Sequence, residues 1–168
     1  MDRILVTYYS ETGNTKKIAE AIFAALPEAK EITPIDHVQD LSAYDLVFVG
    51  FPVQSHTVPF RVEKFLRSIP KGKKIALFST HGSLTGDTLS REAIESAATI
   101  AFQAKVITTF TSRGKVSARA IEQLDGSPEH EAWTSQAVSA STHPHDDDLA
   151  AAQTFARWAH TLSHNEGA

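Results

Sequence analysis

Hydrophobic positions along the chain alternate between short β-rich runs and longer stretches with helical spacing. The first run, at residues 3–9, has no clean polar alternation, which is typical of a central strand buried on both faces. A polar turn at residues 10–15 follows, and a helical stripe then continues to Pro27. The stripe consists of Ile18, Ala19, Ile22 and Leu26. This pattern predicts a strand, a polar loop and a helix.

The same unit recurs twice further along the chain. Hydrophobic runs at 44–50 and 74–79 predict two more strands, and each is followed by a loop, at 51–59 and 80–88, and then by a helical stripe. The stripes are formed by Val62, Phe65, Leu66 and Ile69, and by Leu89, Ala93, Ile94, Ala97 and Ile100. Three such units in series indicate an α/β domain with a parallel sheet and right-handed crossovers.

Two weaker runs complete the predicted sheet. Residues 30–34 predict an edge strand, residues 104–110 predict a fifth strand, and a stripe of apolar residues predicts a last helix at 146–163. The intervening segment, 112–144, is polar and too long for an ordinary connection. We expect one domain, residues 1–168, in which this segment is an excursion packed at the carboxyl-terminal edge of the sheet.

The composition is that of an ordinary globular chain without cysteine. Its 168 residues are 42% hydrophobic and 21% charged, which suits one domain with a buried core. The lack of cysteine excludes disulfides, thiolate metal ligands, iron–sulfur clusters and cysteine nucleophiles. Redox chemistry in such a chain therefore requires a bound cofactor.

Charge and hydropathy narrow the expected partners. The formal net charge is −4 and no stripe of lysine and arginine stands out, so we expect no nucleic acid partner. The apolar run at residues 4–6 is too short for a signal peptide or a membrane span. We therefore expect a cytoplasmic protein that does not associate with a membrane.

The polar turn after the first strand carries the clearest candidate chemistry. It reads Ser10-Glu11-Thr12-Gly13-Asn14-Thr15. Backbone N–H groups of the loop and of the following helix converge there, and hydroxyl and amide side chains add donors for a phosphate. The alternative is structural, with Ser10 capping the helix and Gly13 relaxing the turn. Because the G-x-x-x-x-G-K-[ST] and G-x-G-x-x-G patterns are absent, ATP and NAD are disfavoured as resident nucleotides.

At these residues the chain resembles the flavodoxin family, whose signature is an aromatic strand end, a Ser/Thr-x-Thr-Gly-x-Thr loop and an Ala and an aliphatic residue on the next helix. The matching positions are Tyr8, Ser10, Thr12, Gly13, Thr15, Ala19 and Ile22. Thr7 departs from the family, which usually has an apolar residue there. The resemblance implies a flavodoxin-like, doubly wound, five-stranded parallel sheet of order 2-1-3-4-5, with helices on both faces and FMN bound non-covalently.

The resemblance also implies where FMN binds. Residues 10–15 would hold the phosphate, and the loops after the third and fourth strands would hold the ring, which agrees with the usual ligand position in doubly wound sheets. The expected ring-binding residues are Phe51, Pro52, Val53, Gln54, His56, Ser79, Thr80, His81, Gly82 and Asp87. The Trp and Tyr that enclose the ring in many flavodoxins are missing, so Phe51 or His56 either covers one ring face or anchors its loop.

Two functions agree with this sequence, and a third fits it poorly. In the first and favoured one, an electron carrier passes electrons through FMN between a reductase and an acceptor enzyme, and no catalytic residue is required. In the second, an NAD(P)H:quinone-type oxidoreductase reduces a small quinone-like acceptor in a pocket shaped by residues 112–144. The third, a phospho-accepting receiver domain, needs acidic residues where the chain has Tyr8-Tyr9 and Gly50-Phe51.

The residues that open the last helix resemble metal ligands. They are His143, His145 and the three aspartates at 146–148, and the His-Pro-x-x-x-Asp stretch that they form is similar to one in a flavodoxin subfamily. Aspartates at a helix N-terminus are also stabilising through capping and the helix dipole. Their spacing matches no metal motif with a mechanism attached. We therefore expect a helix cap and no bound metal.

Overall fold

The computed structural model describes residues 2–27, 29–54, 57–82, 88–116, 121–122 and 131–165. Within them, strands and helices alternate as the hydrophobic pattern predicts. The elements in chain order are β1 (Ile4–Tyr8), α1 (Asn14–Ala25), β2 (Lys30–Pro34), a 3₁₀ turn (Ile35–His37), β3 (Leu46–Pro52), α2 (Phe60–Ser68), β4 (Lys74–His81), α3 (Thr88–Ile100), β5 (Lys105–Arg113), α4 (Glu131–Ser139) and α5 (Asp146–Asn165).

The strands form a parallel sheet in the order β2-β1-β3-β4-β5. This order confirms the doubly wound sheet that the family resemblance implies. β2 lies at one edge, as predicted, and β5 lies at the other. Because all the strands are parallel, their carboxyl ends and the loops that follow them meet at one end of the sheet, which we call the carboxyl edge.

Helices cover both faces of the sheet, and the central strands are buried between them. Alternate residues of β1 point into opposite cores: Ile4 and Val6 pack toward α1 and α5, whereas Leu5 packs toward α2 and α3. The ring of Phe155 on α5 stacks on Phe110 of β5 with 5.1 Å between ring centroids, which fastens the last helix to the edge strand. Burial on both faces explains why the central strands lack polar alternation.

The strands extend further toward the carboxyl edge than their hydrophobic runs predict. β3 and β4 each end two residues later, at Pro52 and His81, and β5 ends three residues later, at Arg113. The added residues pair across the sheet, since Pro52 lies opposite Thr80 and His81 opposite Arg113. Backbone pairing with neighbouring strands thus outweighs the weak local preference of these polar residues.

The excursion before the last helix begins at Gly114, because Ser112 and Arg113 belong to β5. Its described residues include α4, and residues 117–120 and 123–130 lie outside the described part. The last helix, α5, begins at Asp146 as predicted and ends two residues beyond the predicted end. Among the described residues, no helix combines the length and the apolar character needed to span a membrane.

Gly50 of β3 leaves room for the ring of Phe78 on the neighbouring strand β4. A Cβ atom at Gly50 would lie 2.1 Å from Phe78 Cε2 and Cζ, and this ring is fully buried. We therefore expect Gly50→Ala to lower the free energy of unfolding by about 1–3 kcal/mol, because overpacking displaces a core ring. Chemical denaturation measures the loss.

The double variant Gly50→Ala/Phe78→Leu is the control. Leucine removes the ring atoms that the new methyl group would meet, so the double variant should be more stable than the sum of the two single losses allows. A double variant whose loss of stability equals the sum of the two single losses would contradict a direct clash between these side chains.

Candidate functional site

The predicted phosphate loop lies at the carboxyl edge, between β1 and α1. The Tyr9 amide donates to the Gly50 carbonyl oxygen at 3.0 Å, which continues the pairing of β1 with β3 up to the start of the loop. At the other end of the loop, Gly13 has a φ of 94°, in the left-handed region that other residues rarely adopt. The turn into α1 therefore favours glycine at this position.

Two backbone N–H groups, one from this loop and one from α1, point at one oxygen atom. Ser10 Oγ accepts hydrogen bonds from the Gly13 N–H at 3.1 Å and from the Lys16 N–H at 3.4 Å. One donor belongs to the loop and the other to the first turn of α1, where the positive end of the helix dipole lies. Ser10 therefore satisfies one N–H group of the loop and one of the helix, in agreement with the structural alternative, and the same donors suit a phosphate oxygen.

Thr15 connects the first turn of α1 to β4. Its side chain is buried, with 1% exposure, and its hydroxyl group is hydrogen-bonded to the Thr80 hydroxyl over 2.8 Å. A hydroxyl group can donate one hydrogen bond and accept two. When Thr80 donates in this pair, the Thr15 proton remains available to an anion in the loop. The pair therefore joins the phosphate loop to the strand expected to carry the ring site.

Asn14 holds the chain that follows β5. Its Nδ2 atom donates to the Lys115 carbonyl oxygen at 2.7 Å. A Cβ atom at Gly114 would lie 2.7 Å from the same Nδ2 atom, so glycine permits this close approach. The Asn14 amide, which the sequence suggested as a phosphate donor, thus secures the excursion to the phosphate loop.

Glu11 and Thr12 are the exposed residues of the phosphate loop. The Tyr9 hydroxyl donates to Glu11 Oε1 at 2.8 Å. This hydrogen bond is the main cause that raises the pKa of the Tyr9 phenol, and burial is the second cause. The Arg61 guanidinium lies over the Tyr9 ring, 5.9 Å from its centroid. Tyr9 was not expected in the site, although a second aromatic residue at a strand end is a signal that could have revealed it.

The loop after β3 is held against the end of β4. The Val53 amide donates to the Thr80 carbonyl oxygen at 2.8 Å. Gln54 and Thr57 exchange backbone hydrogen bonds of 3.0 and 2.9 Å. His56, which was expected near the ring, lies outside the described residues.

The sequence left two roles open for Phe51, covering one face of the ring or anchoring its loop, and the structure agrees with the anchor. Its side chain is fully buried in the core between the sheet and helices α2 and α3. The reason is that β3 continues through Pro52, so strand alternation directs the Phe51 side chain into this core. Asp87, also expected in the site, lies outside the described residues.

The end of β4 is covered by the chain that follows β5. Residues 79–82 are buried, and the His81 carbonyl oxygen accepts a hydrogen bond from the Gly114 amide at 2.8 Å. A Cβ atom at Gly82 would lie 2.3 Å from Val116 Cγ2 and 3.6 Å from the backbone of α4. The N–H groups of Thr80, His81 and Gly82, which were expected beside the flavin ring, therefore lie in and just after a paired strand, not in an open loop.

Arg113 fastens α4 to the end of β5. Its guanidinium donates to the Gln136 carbonyl oxygen at 2.8 Å and to Ser139 Oγ at 2.6 Å, both on α4. We call residues 113–116 the clasp, because they contact the phosphate loop, the end of β4 and α4. The clasp was not foreseen, since its contacts join residues that are far apart in the sequence.

The residues at the start of α5 form a helix cap, as expected. Asp148 Oδ2 accepts a hydrogen bond from the His145 N–H at 2.9 Å and lies 2.5 Å from His143 Nδ1. The Asp147 N–H donates to His145 Nδ1 at 3.2 Å. These bonds satisfy N–H groups at the helix N-terminus.

Comparison with known proteins agrees with this architecture. A family model described as the flavodoxin domain matches residues 5–157. The flavodoxin-like domain-containing protein BilS of Clostridioides difficile (strain CD3) is 32% identical over 165 residues, which cover 91% of this chain and 93% of BilS.

Solved structures share the fold at lower identity. Oxidised flavodoxin 2 from Bacillus cereus has a TM-score of 0.62 and 21% identity, covering 98% of this chain and 99% of that one. A flavoprotein from Lactobacillus acidophilus NCFM, solved in complex with FMN, has a TM-score of 0.54 and 19% identity, covering 66% of this chain and 93% of that one. Since the family model spans the chain from β1 into α5, this protein belongs to the flavodoxin family.

Proposed function

We propose that this chain binds FMN non-covalently at the carboxyl edge of the sheet and carries electrons through it. The supporting observation is the convergence of the Gly13 and Lys16 N–H groups on one oxygen position at the N-terminus of α1. In a doubly wound sheet, this loop lies where ligands bind. The FMN bound to the Lactobacillus acidophilus flavoprotein is consistent with this cofactor.

The phosphate loop fits the phosphate of FMN in its donor chemistry. Gly13 and Lys16 supply backbone N–H groups, and the exposed Thr12 and partly buried Ser10 supply hydroxyl groups. The dipole of α1 favours a negative charge at this end, so no buried lysine is needed. Asn14 contributes by holding the clasp beside the loop.

The residues that would hold the flavin ring lie at the carboxyl ends of β3 and β4. Val53 follows β3 directly and is tied to β4 by its backbone hydrogen bond to Thr80, and Gln54 is paired with Thr57. FMN, when bound, supplies the electron chemistry that side chains of this composition lack. The chain itself contributes binding donors and the cover over β4, and the proposal requires no catalytic acid or base.

As a carrier, the protein would take electrons from a reductase and deliver them to an acceptor enzyme. We propose that this exchange takes place in the cytoplasm. Docking of two proteins at the carboxyl edge is sufficient for this role, since electrons pass through the exposed part of a bound flavin.

The second candidate is an FMN-dependent oxidoreductase that reduces a small quinone-like acceptor with NAD(P)H. The observation that favours it is the clasp, which fixes α4 over the end of β4 and so provides a wall beside the proposed ring site. A wall of this kind could shape a pocket for a small acceptor.

The phosphate loop should distinguish FMN from riboflavin. We expect Thr12→Ala to weaken FMN binding by about tenfold to a hundredfold, because it removes a charge-assisted donor worth about 1.5–3 kcal/mol. Riboflavin lacks the phosphate, so its weaker binding should not change. Fluorescence titration with both flavins measures this, and Thr154→Ala on the exposed face of α5 is the matched control. Equal affinity of the native protein for FMN and riboflavin would contradict the proposal.

The hydroxyl pair of Thr15 and Thr80 allows stability and binding to be separated. Thr80→Val keeps the side-chain shape but leaves the buried Thr15 hydroxyl without this partner, so the free energy of unfolding should fall by about 1–3 kcal/mol. Thr15→Val/Thr80→Val replaces both hydroxyl groups and should regain most of that stability while still binding FMN more weakly. If this double variant binds FMN as the native protein does, the Thr15 hydroxyl has a structural role alone.

Steady-state kinetics separate the carrier from the oxidoreductase. The FMN-loaded protein should oxidise NADH or NADPH with a quinone no faster than free FMN does, and an added flavodoxin reductase should restore electron transfer to an acceptor. Rapid NAD(P)H oxidation without a reductase would instead establish the second candidate. Arg113→Ala, which releases α4, should then slow that reaction.

A further inference from the structure

Three potential metal ligands meet on the side of the molecule opposite the phosphate loop. His164 Nε2 lies 2.9 Å from Asp2 Oδ2 and 3.0 Å from His160 Nε2, and His160 Nε2 lies 3.9 Å from Asp2 Oδ2. The side chains of Asp2 and His160 are one-third and one-quarter exposed, and that of His164 is about half exposed. We call these three residues the amino-edge cluster.

The fold brings these residues together from the two ends of the described chain. Asp2 directly precedes β1, so it lies at the amino-terminal edge of the sheet. α5 starts at the opposite edge and runs back across the sheet, which places its last turns beside Asp2. His160 and His164 are four residues apart and therefore share one face of the helix. The length of β1, roughly 16 Å at 3.3 Å per residue, separates the cluster from the phosphate loop.

The three atoms are spaced as ligands of one ion. A point inside their triangle lies about 2.0 Å from each atom, which is the usual distance from a metal to an imidazole nitrogen or a carboxylate oxygen. Seen from that point, His160 and Asp2 lie nearly opposite each other, and His164 lies about 100° from both, as in tetragonal coordination. The remaining positions of such an ion would face water.

We propose that Asp2, His160 and His164 form a binding site for a divalent transition-metal ion, with Cu²⁺ and Ni²⁺ preferred over Zn²⁺. Two imidazoles and one carboxylate suit these metals, and the tetragonal arrangement favours the first two over tetrahedral Zn²⁺. Mg²⁺ and Ca²⁺ prefer all-oxygen sites and should not compete. A bound ion would join the segment before β1 to the end of α5.

An ion has access to this cluster from solvent. A polar cavity of about 440 Å³ at the amino-terminal edge is lined by Asp2 and His164, together with Tyr44, Asp45 and Lys73. A plausible metal site needs such an entry path in addition to correct ligands and distances.

The capping residues of α5 make a different arrangement. There, the lone pair of His145 Nδ1 accepts the Asp147 N–H, and Asp148 Oδ2 accepts the His145 N–H, so backbone groups already occupy these atoms. In the amino-edge cluster, by contrast, the three ligand atoms are paired with one another. The capping residues therefore supply a matched control with the same residue types.

Calorimetric titration of the full chain, freed of any histidine tag, tests this site. CuCl₂, NiCl₂, ZnCl₂ and MgCl₂ are added in turn, and we expect one Cu²⁺ or Ni²⁺ ion per chain, weaker Zn²⁺ binding and no Mg²⁺ binding. Asp2→Asn, His160→Ala and His164→Ala should each weaken Cu²⁺ binding at least tenfold. His145→Ala in the cap and His37→Ala on the exposed 3₁₀ turn should leave it unchanged.

Two further measurements identify the ligands of the bound ion and show whether the ion affects FMN binding. Electron paramagnetic resonance of the Cu²⁺ complex should show coupling to two nitrogen nuclei in the native protein and to one in His160→Ala. The affinity for FMN should be the same with and without the ion, since the two sites lie at opposite edges. Native-like Cu²⁺ binding in all three cluster variants, or loss of binding in His145→Ala, would overturn the proposal.

Discussion

Burial of β1, β3 and β4 on both faces is the constraint on which the rest of the structure depends. A parallel sheet with helices on both sides has to satisfy its backbone groups by pairing, so the central strands are held in one register. This register brings the carboxyl ends of β1, β3 and β4 to a common edge. The phosphate loop is then fixed at its start by the backbone hydrogen bond from Tyr9 to Gly50 and at its end by α1.

The clasp adds a second level of organisation at this edge. Asn14 reaches across to Lys115, Gly114 pairs with His81, and Arg113 holds α4. These bonds join the phosphate loop, β4 and the excursion into one unit. A cofactor at this edge would therefore meet a phosphate loop, an end of β4 and a clasp that are already hydrogen-bonded to one another, which lowers the cost of ordering these described residues on binding.

The sequence predicted the features that depend on short patterns or on the family resemblance. It did not predict contacts between residues that are distant in the chain. The strands, the sheet order and the turn at Gly13 follow from short patterns and from the family resemblance, and they are confirmed. The inward position of Phe51 depends on how far β3 pairs with β4, which a hydrophobic run does not show. The Asn14–Lys115 bond and the contact of Asp2 with His164 join residues remote in the chain, so no local motif marks them.

We propose that the N–H groups of Gly13 and Lys16 receive the phosphate of FMN. Amide nuclear magnetic resonance of the ¹⁵N-labelled protein reports on these two groups individually, because a hydrogen bond to a phosphate dianion moves an amide proton downfield. We expect FMN to shift the Gly13 and Lys16 amide protons downfield and riboflavin to leave them in place. Saturating FMN that binds without moving these two resonances would contradict the claim.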